Sequence, residues 1–172
     1  LEMHGLAGRA AELNQAGARL AREVADESET PVWVLADVGP FGDFLEPYGD
    51  TEPEELLEIF HNQFKALSEG GAQIALVETM SDPGEAEVGI RAAREVSGWP
   101  VVSTYAFQKS QGGFRTMMGA TVEDATARSI GAGAGLVGAN CGTDLSLDDY
   151  RRLAAELVRV VDGRVPVVVQ PN

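Results

Sequence analysis

Short apolar runs alternate with segments of helical spacing along the chain. The runs cover residues 32–36, 73–77, 100–106, 135–138 and 165–169, and each is close to continuous rather than alternating. That pattern predicts strands covered on both faces, as in a parallel sheet. Between the runs, Leu56, Ile59, Phe60, Phe64 and Leu67 share one stripe of a helix predicted over residues 53–67. Thr51 is its expected N-cap, acidic residues fill its first turn, and Gly70-Gly71 is its stop. Asp82-Pro83 opens the next helix, with Ala86, Ile90, Ala93 and Val96 turned inward and Gly98 at its end. Thr121 with Asp124, and Ser146 with Asp149, have the spacing of a capping box ahead of two more helices, the second over residues 150–161. Residues 6–26 read as a further helix leading into the first strand.

This β-α-β-α rhythm defines an α/β architecture with a parallel sheet and right-handed crossovers. Neither a linker nor a low-complexity segment interrupts it, so residues 1–172 are treated as one domain. Five strands fit an open sheet or part of a barrel, and periodicity does not separate the two. The composition is that of an ordinary globular protein, 44% hydrophobic and 23% charged. A net charge of −14 excludes binding to a phosphate backbone, which would repel this surface. No apolar run reaches the length of a membrane span, and the single cysteine argues for a reducing, cytoplasmic setting. The chain starts at Leu1, which suggests a piece of something longer.

In a parallel α/β protein the loops after the strands share one edge, and this is where sites are built. The predicted strand ends carry Asp37, then Glu78-Thr79-Met80, Thr104-Tyr105, Asn140-Cys141-Gly142 and Gln170-Pro171-Asn172. A carboxylate after the apolar stretch of residues 74–77 is costly unless a cation or donors satisfy it, which makes Glu78 a candidate for a ligand ammonium. Asp37 follows the same logic, with capping of a turn at Gly39-Pro40 as the alternative. Asn140 is suited either to a ligand or to its own turn. Cys141 is a candidate soft metal ligand or nucleophile, against the plainer role of a small buried thiol. His4 and His61 lack partners at metal-ligand spacing and are assigned structural roles, while residues 52–58 form a solvated acidic face. Met117 and Met118 fall in a loop after Arg115. The glycines around Gly39 and at Gly112-Gly113 lack the spacing of a phosphate-binding loop.

Taken in order, Val38-Gly39-Pro40-Phe41-Gly42, Glu46-Pro47-Tyr48-Gly49, Val77-Glu78-Thr79-Met80 with Glu85-Ala86, Thr116-Met117-Met118-Gly119, Gly138-Ala139-Asn140-Cys141-Gly142 and Val169-Gln170-Pro171-Asn172 resemble the homocysteine S-methyltransferase family. The resemblance implies a (β/α)8 TIM-type barrel, of which this chain would hold about strands 3 to 7. It implies a zinc ion held by three thiolates: Cys141 is similar to one ligand, and a later Cys-Cys pair that would supply the other two is absent here. By the same resemblance Glu78 receives the homocysteine ammonium, and the methyl donor is a corrinoid carried by a partner protein or domain. The rival readings are an α/β binding module without the metal, and another barrel enzyme such as an aldolase. The latter is disfavoured because no strand-end lysine is present to form a Schiff base.

Overall fold

A computed structural model describes residues 5–171. Five strands, β1 (Leu35–Val38), β2 (Ile74–Met80), β3 (Val101–Tyr105), β6 (Leu136–Asn140) and β7 (Val167–Gln170), form one sheet in the order β1-β2-β3-β6-β7. Every neighbouring pair is parallel. Each of the first four sheet strands is joined to the next by a crossover containing a helix: α2 (Pro53–Glu69), α3 (Pro83–Ser97), α4 (Val122–Ala132) and α5 (Leu147–Val161), with α1 (Ala10–Asp26) ahead of β1. Because strand order follows chain order, crossovers of one hand lay all the helices on one face. This open α/β sheet is what part of a (β/α) barrel would look like.

The helix-facing side chains are small or β-branched and almost wholly buried. Ala36, Val38, Ala75, Val77, Val101, Val137 and Ala139 are at most 1% exposed. Helices close on this layer at short range: a Cβ at Gly89 of α3 would lie 3.2 Å from Val77. On the sheet itself, a Cβ at Gly138 would overlap the Val168 carbonyl, so β6 and β7 approach as they do because residue 138 has no side chain. The opposite face carries Asp37, Leu76, Glu78, Val102, Thr104 and Asn140.

Four details depart from the sequence expectations. First, the opening strand lies at Leu35–Val38, later than residues 32–36, because Val32 and Trp33 remain 44% and 62% exposed in the approach to it. Asp37 therefore sits inside β1 and not beyond its end. Second, α2 is capped by Glu52 with Pro53 in its first turn, and Glu52 makes no side-chain cap bond; Thr51 instead bridges to Leu45. Third, Ile59 is 44% exposed at the cleft between α1 and α2, off the buried stripe of Leu56, Phe60 and Phe64. Fourth, Phe107–Ser110 (β4) and Gly113–Thr116 (β5) make an antiparallel hairpin, and Arg115 lies in its second strand. His61 packs beside Glu95, with Nε2 3.3 Å from its carboxylate. His4 and Asn172 lie outside the described residues.

The start of α5 ties the hairpin to the sheet. Ser146 and Asp149 form a full capping box, each side chain bonding the other's backbone N–H. The buried Asp149 carboxylate also accepts from Arg152 and, at 3.2 Å, from Lys109 of β4. The Ser146 donors, then Arg152 and Lys109, hold its carboxyl well below the usual carboxylate range. A depressed acid pKa stabilises the fold fully above the unfolded Asp value of about 4 and is lost as pH falls toward the folded value. Urea unfolding across that acid range should therefore show a shallower pH dependence in Asp149→Asn than in the parent. Ser146→Ala should cost about 1 kcal/mol at neutral pH.

Candidate functional site

The carboxyl ends of β1, β2, β3 and β6 bring the predicted residues to one edge. The centre is a hydrogen-bonded bridge between β2 and β6, which are not neighbours in the sheet. Asn140 Oδ1 accepts from the Thr79 backbone N–H at 3.1 Å, and Asn140 Nδ2 donates to Thr79 Oγ1 at 2.6 Å. The Thr79 N–H also lies 3.4 Å from Thr104 Oγ1 on the intervening β3. Thr79 Oγ1 in turn donates to Glu78 Oε2 at 3.2 Å. Asn140 Nδ2 stands 3.6 Å from Cys141 Sγ. Glu78, Asn140 and Cys141 are thus members of one chain of contacts, with Thr79 as its hub.

Two non-glycine residues at this edge have left-handed backbone, Thr79 with φ 60° and Cys141 with φ 49°. Such conformations persist where surrounding contacts over-determine them. At Cys141 the support is the Tyr150 hydroxyl of α5, which donates to the Cys141 carbonyl. Gly142 follows with φ 113°, where a Cβ would lie 2.8 Å from the Phe107 carbonyl. The thiol itself is partly buried.

Asp37 joins the site through charge. It stands on the same sheet face as Glu78, one strand away; its side chain is solvent-exposed, and partial desolvation and then the neighbouring Glu78 charge push its carboxyl up. Among the described residues no Lys, Arg or His forms an ion pair with either carboxylate. Two like charges without a protein counter-ion favour a cation at the point they share.

Sequence reasoning placed Thr79 and Thr104 at strand ends and Glu85 in the family resemblance, but assigned none of them, nor Tyr150, a supporting role. Glu85 lies in the first turn of α3, 5% exposed, and accepts from the Phe41 backbone N–H at 2.7 Å, which pins the loop after β1. The available signal was an acidic residue two positions after Pro83, which reads equally well as ordinary helix-start charge. Tyr150 was visible only as a polar-tipped residue beside a capping box.

As a metal centre the described residues are incomplete. No three His, Cys, Asp or Glu side chains among them converge on a point that could hold an ion. Cys141 offers the soft donor a zinc site uses, but only one position of four.

A parallel β/α sheet with two carboxylates and a thiol at its carboxyl edge defines a protein of the parallel α/β class. The sequence matches the homocysteine S-methyltransferase family over residues 1–172, and the chain belongs to that family. It is 29% identical over 177 residues to a methionine synthase of Mycobacterium leprae, an alignment covering 98% of this chain and 14% of that protein. It is 28% identical over 134 residues to betaine–homocysteine S-methyltransferase 1 of Rattus norvegicus, covering 78% of this chain and 30% of that one. The chain therefore spans a minor part of these curated relatives. The metallated form of the homocysteine methyltransferase MmuM from Escherichia coli superposes with a TM-score of 0.76 at 20% identity, covering 98% of this chain and 62% of that chain. At that identity the likeness establishes the fold.

Glu85 yields a test of how the edge is held. Its carboxyl is pushed up, first by burial and also by Asp82, against the lowering effect of the Phe41 N–H. A raised acid pKa means the folded state keeps the proton longer, so stability declines as pH rises from the unfolded Glu value to the folded one. Glu85→Gln keeps the acceptor without the charge and should be at least as stable as the parent at pH 7. Glu85→Ala strands the Phe41 N–H and should lose about 1–3 kcal/mol. Denaturant unfolding of both variants at pH 4 and pH 7 checks the order.

Proposed function

We propose that this chain contributes to zinc-dependent transfer of a methyl group to the thiol of homocysteine, giving methionine. The observation that carries the reading is the Asp37–Glu78 carboxylate pair, lacking a protein counter-ion and joined to Cys141 through Thr79 and Asn140. An α-amino acid with sulfur on its side chain has the matching groups, an ammonium for the carboxylates and a soft atom for the far end. The family membership supports the same substrate.

In this reading Glu78 and Asp37 hold the ammonium and fix where the side chain starts, a positional gain that counts directly toward rate. The hydroxyl of Thr79 keeps one Glu78 oxygen in place while the other faces the ligand. Cys141 would contribute one thiolate to a zinc site, and the other ligands such a site needs are not supplied by the described residues. Zinc at such a site supplies Lewis acidity that lowers the pKa of a bound thiol. The methyl donor is a corrinoid presented by a partner protein or domain, a reading supported by the methionine synthases among the relatives.

Two substitutions in the complete gene product test this. Cys141→Ser should lose bound zinc by metal analysis together with homocysteine-dependent methyl transfer. Glu78→Gln should keep the zinc and weaken homocysteine about 10- to 100-fold, the effect of one charge-assisted bond of about 1.5–3 kcal/mol. Unchanged zinc content and turnover in Cys141→Ser would remove the metal role. Homocysteine binding without zinc or methyl transfer in the parent would favour a binding module instead.

A further inference from the structure

The backbone of β2 is irregular at the site. Val77 pairs with Ser103 and Met80 with Tyr105, so Glu78 and Thr79 together stand opposite Thr104 alone. This is a β-bulge, a device that re-aims side chains next to sites. The left-handed position of such a bulge is ordinarily glycine, because a Cβ there crowds the following carbonyl. Here it is Thr79, a β-branched residue at φ 60°, for which this backbone is an outlier. A residue so costly for its position implies that its side chain is needed.

What the side chain does is visible in its partners. Thr79 Oγ1 donates to Glu78 and accepts from Asn140, while the Thr79 N–H donates to Asn140 Oδ1. Asn140 is 3% exposed, and both of its amide atoms are engaged by Thr79. This amide orientation gives the Thr79 N–H its shorter acceptor, ahead of Thr104 Oγ1 at 3.4 Å, and gives the Thr79 hydroxyl a donor. Asn140 therefore has little to offer a ligand directly and acts through Thr79. The pair spans β2 and β6 across β3, with Glu78 next to one member and Cys141 next to the other.

We propose that Thr79 and Asn140 are a positioning clamp that fixes the span between the ammonium-binding carboxylate and the sulfur-binding end, and so selects homocysteine over its one-methylene-shorter analogue cysteine. The inference rests on the homocysteine reading above and adds the element that measures substrate length. Thr79→Gly relieves the backbone and removes the hydroxyl. Thr79→Ser keeps the hydroxyl and serves as the rescue.

The test uses the complete gene product. Calorimetric binding of L-homocysteine and L-cysteine, steady-state kinetics with each, and thermal unfolding are compared for the parent, Thr79→Ser, Thr79→Val and Thr79→Gly. In Thr79→Gly the unfolding midpoint should stay at or above that of the parent. Its homocysteine KM and dissociation constant should rise about tenfold or more, with kcat falling much less. The preference for homocysteine, about 10- to 200-fold for one methylene, should shrink toward unity. Thr79→Ser should restore affinity and preference. If Thr79→Val fails to fold, Thr79→Gly carries the comparison. Unchanged affinity and preference in Thr79→Gly would overturn the clamp alone. A parent that binds no homocysteine would overturn the substrate reading and the clamp with it.

Discussion

The sheet is parallel and its strand order follows the chain, and the positions of the remaining elements follow from that constraint. A parallel neighbour can be reached only by a long crossover, and crossovers of one hand put every helix on one face. All strand carboxyl ends then finish on one edge, whatever their separation in sequence. Thr79 and Asn140, 61 residues apart, meet for that reason. The helix-facing layer of Ala and Val makes the arrangement rigid, since side chains this small allow close approach and leave few alternative packings. A larger residue at Ala75 or Ala139 would push a helix away and move the site with it.

Rigidity of the body is what permits irregularity at the edge. Thr79 and Cys141 adopt left-handed backbone at the ends of β2 and β6, each of order 1–3 kcal/mol unfavourable. Both are held by contacts from other elements, Thr79 by Asn140 and the Cys141 carbonyl by Tyr150. The hairpin of β4 and β5 extends this support, because Lys109 reaches Asp149, the residue before Tyr150. Phe114 of the same hairpin lies under Arg152, with the guanidinium 5.8 Å from the ring centre. The loop bearing the thiol is thus braced from the helix behind it and from the hairpin beside it.

How legible this was in the sequence depended on the range of the physics involved. Buried strands and amphipathic helices leave local signals, and the five sheet strands and five long helices were found from apolar runs, caps and glycine stops. The first strand slipped because Val32 and Trp33 are as apolar as the true strand, and only burial distinguishes them. The hairpin was missed because its strands are four residues each and polar on one side, and Gly112-Gly113 at its turn was weighed only as a phosphate-binding loop. At the site, the residue types at the strand ends singled out Glu78, Asp37, Asn140 and Cys141. What each one touches was beyond reach. The engagement of Asn140 with Thr79 requires register, a bulge and a positive φ, none of which is written in composition or period.

The carboxylate pair explains more than the acidity of the whole chain does. A net charge of −14 draws cations weakly and from all sides, and salt screens it beyond roughly 8–10 Å. Asp37, exposed, and Glu78, half-buried, stand on adjacent strands, and the Glu78 charge helps push the Asp37 carboxyl up. A primary ammonium, with three donors, is suited to touch both and relieve their mutual repulsion. In the proposed reading, a ligand ammonium at β1 and β2 leaves the rest of the amino acid to run along the edge toward β6, where Cys141 lies. On that same proposal, the order of groups along the edge, carboxylates then Thr79 and Asn140 then sulfur, sets both the polarity of the ligand and its length.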